Sequence, residues 1–179
     1  MNLPNKLSLL RIFLIPVMVV LFSIGGTLFM RLSAVVFLIA SLTDYFDGQI
    51  ARKQNLVTDF GRFVDPLADK LLVLSALILL CSSGQIPAWV VITILARELA
   101  IDGLRMIVVM KGTVIAAGKL GKLKTASQMF YILLLMFLQL SAWSNVLTIV
   151  LTIWIVVITI ASGADYFRHY GKELIKEGL

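Results

Sequence analysis

Long uncharged runs separated by short polar breaks dominate the chain. The first run covers 12–30 and is interrupted by Gly25-Gly26. A second starts at Leu32 and stays uncharged to Thr43, reaching spanning length only if its helix continues to Ala51. The run over 71–96 is broken by Ser82-Ser83-Gly84-Gln85-Ile86-Pro87, a Gly/Pro cluster that reads as a turn between two helices. The last run, 125–164, has twice the length of one span and breaks at Ser141-Ala142-Trp143-Ser144-Asn145. A bilayer-spanning helix takes roughly 20 apolar residues. The pattern therefore predicts an all-α integral membrane protein with six spans, near 10–26, 31–53, 58–82, 87–110, 119–141 and 145–168. These use up the 179 residues as a single membrane domain over 1–179.

Composition agrees. Hydrophobic residues make up 60% of the chain and charged ones only 15%, with a mean hydropathy of +0.99; ordinary soluble domains carry about 25% charged residues. A disordered chain, a soluble nucleic-acid binder and a secreted disulfide scaffold are excluded. Residues 1–10 lack the pattern of a cleavable signal peptide. The lone Cys81 lies in an apolar run and reads as a small hydrophobe.

The net charge of +6 reflects orientation more than partners. With six spans, both termini lie on one side and the turns near 25–31, 82–87 and 141–145 on the other. Of the 16 basic residues only Arg31 falls in those turns. The positive-inside rule then places both termini in the cytoplasm. No nucleic-acid partner is needed to explain the charge.

The acidic residues gather on the same side, at the span ends. Ionisable groups at membrane depth are costly and mark function. Asp44 and Asp47 are three apart and Asp65 and Asp69 four apart, so each pair shares a helix face. A polar loop with surface aspartates would explain any one of them, but not four at helical spacing. Carboxylates so close repel unless cations hold them. All-oxygen donors select hard divalent ions, and a two-metal carboxylate site suits in-line phosphoryl displacement. Gly48 and Ala51 clear space beside the acidic face, and Arg52 can reach a phosphate oxygen. Pro66 falls in the first turns of its helix, where proline is tolerated. A proton or cation pathway through a cation-coupled transporter is the alternative from another class. It would favour polar residues at the midplane and an inverted repeat, which the chain lacks.

The motif D-x₂-D-G-x₂-A-R-x₈-G-x₃-D-x₃-D, met at every fixed position from Asp44 through Asp69, resembles the signature of the CDP-alcohol phosphatidyltransferases. The resemblance implies a six-helix bundle, usually a homodimer, with a cytoplasmic active site that transfers a phosphatidyl group from a CDP-linked lipid to an alcohol and releases CMP. It implies that Asp44, Asp47, Asp65 and Asp69 hold two metal ions, Mg²⁺ or Mn²⁺, and that Asp69 is the base. Gly48, Ala51, Arg52 and Asp65 would contact the cytidine nucleotide or its diphosphate.

The remaining polar residues bear on the acceptor. Span 4 carries Arg97, Glu98, Asp102 and Arg105. Glu98 and Asp102, four apart, repel unless a cation lies near, and Arg105 can supply it. Lys119, Lys122 and Lys124 open span 5 against the helix dipole, which an anion would offset. Simple anchoring at the membrane surface explains any one of these lysines. Arg105 and Lys124 lie deepest and are favoured over Lys122. Arg97, Arg105, Lys119 and Lys124 are the expected ligands of an acceptor phosphate. The opening 2–11, the Arg97-Glu98 pair and the stretch 121–125 resemble the branch of the family that takes sn-glycerol 3-phosphate. That branch makes phosphatidylglycerol phosphate from CDP-diacylglycerol, a step of phospholipid biosynthesis in the cell membrane. The same chemistry on phosphatidylglycerol, inositol phosphate or serine is the nearest alternative. The opening segment is expected as a short interfacial helix on anionic headgroups. His169, in the basic tail, reads as a surface residue.

Overall fold

The structure is a computed structural model. It describes residues 3–53, 59–110 and 118–175, with side chains over 7–43, 64–108 and 118–171. Among the described residues there are six helices and no strand: α1 Leu3–Ile24, α2 Gly26–Lys53, α3 Asp59–Ser82, α4 Ala88–Met110, α5 Lys119–Leu138 and α6 Val146–Ile175. In lipid every backbone polar group must be satisfied within its own segment, so an apolar chain of this kind folds as helices.

The helix ends follow the breaks in the pattern. Gly25 and Gly26 both have φ of 78° and separate α1 from α2, a backbone region that glycine enters without cost. Gly84 at φ 73° ends α3. Its N–H reaches the Cys81 carbonyl at 3.0 Å and the Gln85 N–H the Leu80 carbonyl at 2.9 Å, a Schellman motif. The buried Gln85 side chain then donates to the carbonyls of Leu135 and Leu140, at 3.1 and 3.2 Å. Asn145 caps α6 by accepting from the Thr148 N–H at 2.9 Å.

Three boundaries differ from expectation. The opening segment forms no separate interfacial helix: α1 runs unbroken from Leu3, and Ser8 and Arg11 are fully buried. α2 reaches back to Gly26, because nothing between Thr27 and Arg31 breaks a helix. α6 continues to Ile175, past the apolar run.

Among the described residues three helical segments are long and apolar enough to cross a membrane: Leu7–Ile24, Gly26–Thr43 and Val146–Gly171. α3, α4 and α5 carry their charges within the helix: Asp65, Asp69 and Lys70 in α3, Arg97 to Arg105 in α4, and Lys119, Lys122 and Lys124 in α5. The residues that offer chemistry are thus the ones that lower these helices' apolarity. Large apolar side chains such as Phe13, Val20, Leu28, Ile92, Phe130 and Val150 are exposed. Outward apolar faces on every helix are what a lipid solvent permits, and the protein is a membrane protein.

The helices form two compact units. Unit 1 comprises Met1–Gln85 with Ile132–Leu140, and unit 2 comprises Ile86–Tyr131 with Ser141–Leu179. In unit 1, α1 packs along α2 and against α3, and α2 touches α3. Met18, Phe22, Ala34, Phe37 and Ala40 are buried there. The Ser33 hydroxyl donates across to the Met18 carbonyl at 2.9 Å. Small residues at such a seam let helix backbones approach closely, as is usual in membranes. In unit 2, α4 packs on α6, and the Tyr131 and Thr152 hydroxyls bond at 2.8 Å, tying α5 to α6.

Candidate active site

The acidic motif lies in unit 1. Asp44, Asp47, Gly48, Ala51 and Arg52 are in the last turns of α2; their side chains lie outside the described residues. Asp65 and Asp69 are on α3, one turn apart. Both are half-buried. Pro66 sits two turns into α3, where its ring supplies no N–H to the carbonyl four residues back.

One contact at Asp65 escaped the sequence reading. The fully buried hydroxyl of Ser8, on α1, donates to Asp65 Oδ1. Asp65 is therefore held from a helix outside the motif, 57 residues away in the chain. Arg11, three residues further along α1, is also fully buried. A serine and an arginine inside an apolar helix were the available signal, since buried polar residues in such helices face protein.

The donor set suits a hard divalent ion: carboxylates, with a hydroxyl orienting one of them. Among the described residues no three acidic, histidine or cysteine side chains gather as a metal cluster. The two aspartates on α3 supply the described half of the expected site.

The basic residues lie in unit 2. Glu98 on α4 accepts a charged hydrogen bond from the Lys124 ammonium on α5. Its Oε1 also lies 3.3 Å from Arg97 Nη1. The side chains of Lys124, Arg97 and Glu98 are 3%, 13% and 30% exposed. Two cations thus share one carboxylate, largely shielded from bulk water. Lys124 and Arg97 are cations that meet Glu98; helical spacing offers Arg105, three residues beyond Asp102, as a further cation near the Glu98 and Asp102 pair. Arg105 is exposed and makes a weak 3.5 Å contact from Nε to the Tyr166 hydroxyl. Tyr166 is buried with Ile101 and Leu104, and Tyr170 packs on it. Lys119 and Lys122 are exposed. Lys124 is the buried lysine of the three, as its position in the sequence suggested.

Two glycines shape the room around Arg97. A Cβ on Gly163 of α6 would stand 3.3 Å from Arg97 Cγ, and one on Gly121 of α5 would stand 3.9 Å from Arg97 Nη2. Gly163 lets the arginine stem lie close against α6. Neither contact is visible in spacing. His169 is exposed, with Nδ1 2.9 Å from the Asp165 carbonyl and 3.4 Å from its carboxylate.

Residues 1–154 match the model of the CDP-alcohol phosphatidyltransferase family. The chain is 43% identical to a CDP-diacylglycerol--glycerol-3-phosphate 3-phosphatidyltransferase of Bacillus subtilis (strain 168), over 97% of both chains. It is 42% identical to the protein of the same name from Rickettsia typhi, over 93% of this chain and 96% of the relative. A "Probable phosphatidylglycerophosphate synthase" of Mycobacterium tuberculosis is 42% identical, over 97% of this chain and 83% of the relative. With a family model covering most of its length and such relatives over nearly all of it, the chain belongs to the CDP-alcohol phosphatidyltransferase family and is an enzyme of that class.

Proposed function

We propose that the enzyme transfers the phosphatidyl group of CDP-diacylglycerol to sn-glycerol 3-phosphate, giving phosphatidylglycerol phosphate and CMP. The observation that carries this assignment is the identity of 42–43% with relatives named for that reaction, over at least 93% of this chain. The water-shielded pair Lys124 and Arg97 supports it, because an acceptor that bears a phosphate needs cations and serine does not.

Unit 1 carries the donor machinery. Asp44, Asp47, Asp65 and Asp69 would hold two divalent ions, Mg²⁺ or Mn²⁺, which would offset the charge of the diphosphate. Gly48 and Ala51 leave room for the nucleotide beside α2. Asp69 takes the proton from the primary hydroxyl of glycerol 3-phosphate. That oxygen bonds to the phosphorus next to diacylglycerol as the bond to CMP breaks. CMP leaves with the electron pair, and Arg52 holds its charge.

Unit 2 carries the acceptor residues. Arg97, Arg105, Lys119 and Lys124 bind the phosphate of glycerol 3-phosphate. Glu98 fixes the Lys124 ammonium beforehand, and such preorganisation lowers the cost of orienting the acceptor. The six helices span the bilayer of a bacterial cell, with both termini and the active site on the cytoplasmic side. The distribution of Lys and Arg supports that orientation. The enzyme acts as a homodimer, which its mass in detergent tests.

Purified protein is incubated with CDP-diacylglycerol, Mg²⁺ or Mn²⁺ and a panel of alcohols, and CMP release is followed. Release with glycerol 3-phosphate is expected. Release only with phosphatidylglycerol, inositol phosphate or serine would overturn the acceptor assignment.

A further inference from the structure

Serine and threonine hydroxyls within apolar helices usually bond to their own backbone, three or four residues back. This chain follows that habit at Ser23, Ser41, Thr43, Thr93 and Thr125, whose hydroxyls reach the carbonyls of Val19, Phe37, Ile39, Trp89 and Gly121. Ser8 reaches beyond its own helix: its hydroxyl donates to the carboxylate of Asp65 on α3. Ser8 is fully buried and Asp65 half-buried, so bulk water does not compete on the serine side. α1 and α3 pack within one compact unit.

The effect of this bond follows from the freedom of an aspartate. Its terminal torsion is broad and roughly two-fold, so α3 alone does not settle how the carboxylate plane lies. A donor placed on Oδ1 settles it. Hydrogen bonds of this kind to ligating carboxylates tune metal sites, and their loss costs about 10- to 100-fold in metal affinity or activity.

We propose that Ser8 is a positioning residue for the divalent-cation site: its hydroxyl, reaching from α1, holds the Asp65 carboxylate in its ligating orientation. The proposal rests on the reading of Asp65 as a metal ligand given above. It makes the first helix part of the active-site framework, outside the motif over 44–69.

The test is a Mn²⁺ titration of the purified protein in detergent with CDP-diacylglycerol present, following the loss of the free-ion electron paramagnetic resonance signal. Ser8→Ala is expected to bind Mn²⁺ about 10- to 100-fold more weakly. Its KM for glycerol 3-phosphate at saturating Mn²⁺ should stay at the parent value. Ser8→Thr, which keeps the hydroxyl, should restore the affinity. Ser8→Cys, of nearly the same size but with a weak donor, should fall between and serves if the alanine variant does not fold. Parent-like Mn²⁺ affinity in folded Ser8→Ala or Ser8→Cys would overturn the proposal. So would a Ser8→Thr as weak as Ser8→Ala. Asp65→Asn separates the two levels: if it binds Mn²⁺ as the parent does, the ligand reading itself fails; if it loses binding while Ser8→Ala keeps it, only the role of Ser8 fails.

Discussion

Replacing Lys124 by methionine removes one charge and leaves the side-chain volume nearly unchanged. In the native cluster two cations, Lys124 and Arg97, face one carboxylate, Glu98, and the lysine side chain is only 3% exposed. The substitution removes one of the two cations that meet Glu98. A hydrogen bond to a charged group in such surroundings contributes about 1.5–3 kcal/mol. If Lys124 holds the acceptor phosphate, kcat/KM for glycerol 3-phosphate falls by about 10- to 150-fold. The fold should survive. Glu98 keeps Arg97 at 3.3 Å and is 30% exposed, so losing its lysine costs about 1 kcal/mol, nearer to a surface pair than to a buried one. The assay is CMP release, with glycerol 3-phosphate varied at saturating CDP-diacylglycerol and then the reverse. The loss should appear with the acceptor and leave the KM for CDP-diacylglycerol unchanged. Equal losses with both substrates, or unchanged acceptor kinetics, would refute the assignment.

Asp69→Asn should lower turnover at least about 100-fold, the usual worth of a general base, while CDP-lipid binding measured by titration is largely kept; normal turnover would remove Asp69 from that role. Gly163→Val should raise the KM for glycerol 3-phosphate several-fold, because a Cβ there stands 3.3 Å from Arg97 Cγ. Gly171→Ala, whose Cβ would stand 3.9 Å from the Phe167 ring, an ordinary contact, is the silent control in the same kinetic assay. Asn145→Ala removes the cap on the Thr148 N–H and should lower stability by about 1 kcal/mol, seen as earlier thermal unfolding in detergent with unchanged kinetics.

Much of the site is legible in the order of residues because its parts are local. Asp44 with Asp47, and Asp65 with Asp69, come from single helices, where a spacing of three or four fixes a common face. Lys124 could be singled out from Lys119 and Lys122 by its depth along one helix. The contact of Lys124 with Glu98 could not. Spacing on α4 offers Arg105 to Asp102 but says nothing of the lysine that reaches Glu98 from α5. Helical periodicity says which residues share a face and nothing about which other helix meets it.

The sequence by itself determined the helical character, the turns at Gly25-Gly26, at Gly84 and before Asn145, the solvent and the class of chemistry. These depend on apolarity, on backbone freedom and on a motif confined to two consecutive helices, all of them short-range properties. Only the tertiary structure decided that Ser8 reaches Asp65, that Lys124 and Arg97 share Glu98, and that Gly163 makes room for Arg97. It also joined the opening segment to α1 in place of a separate helix on the headgroups. Each of these depends on which helix faces pack together. In a membrane protein that choice is set by close packing and interhelical hydrogen bonds, because lipid solvates every apolar face about equally well.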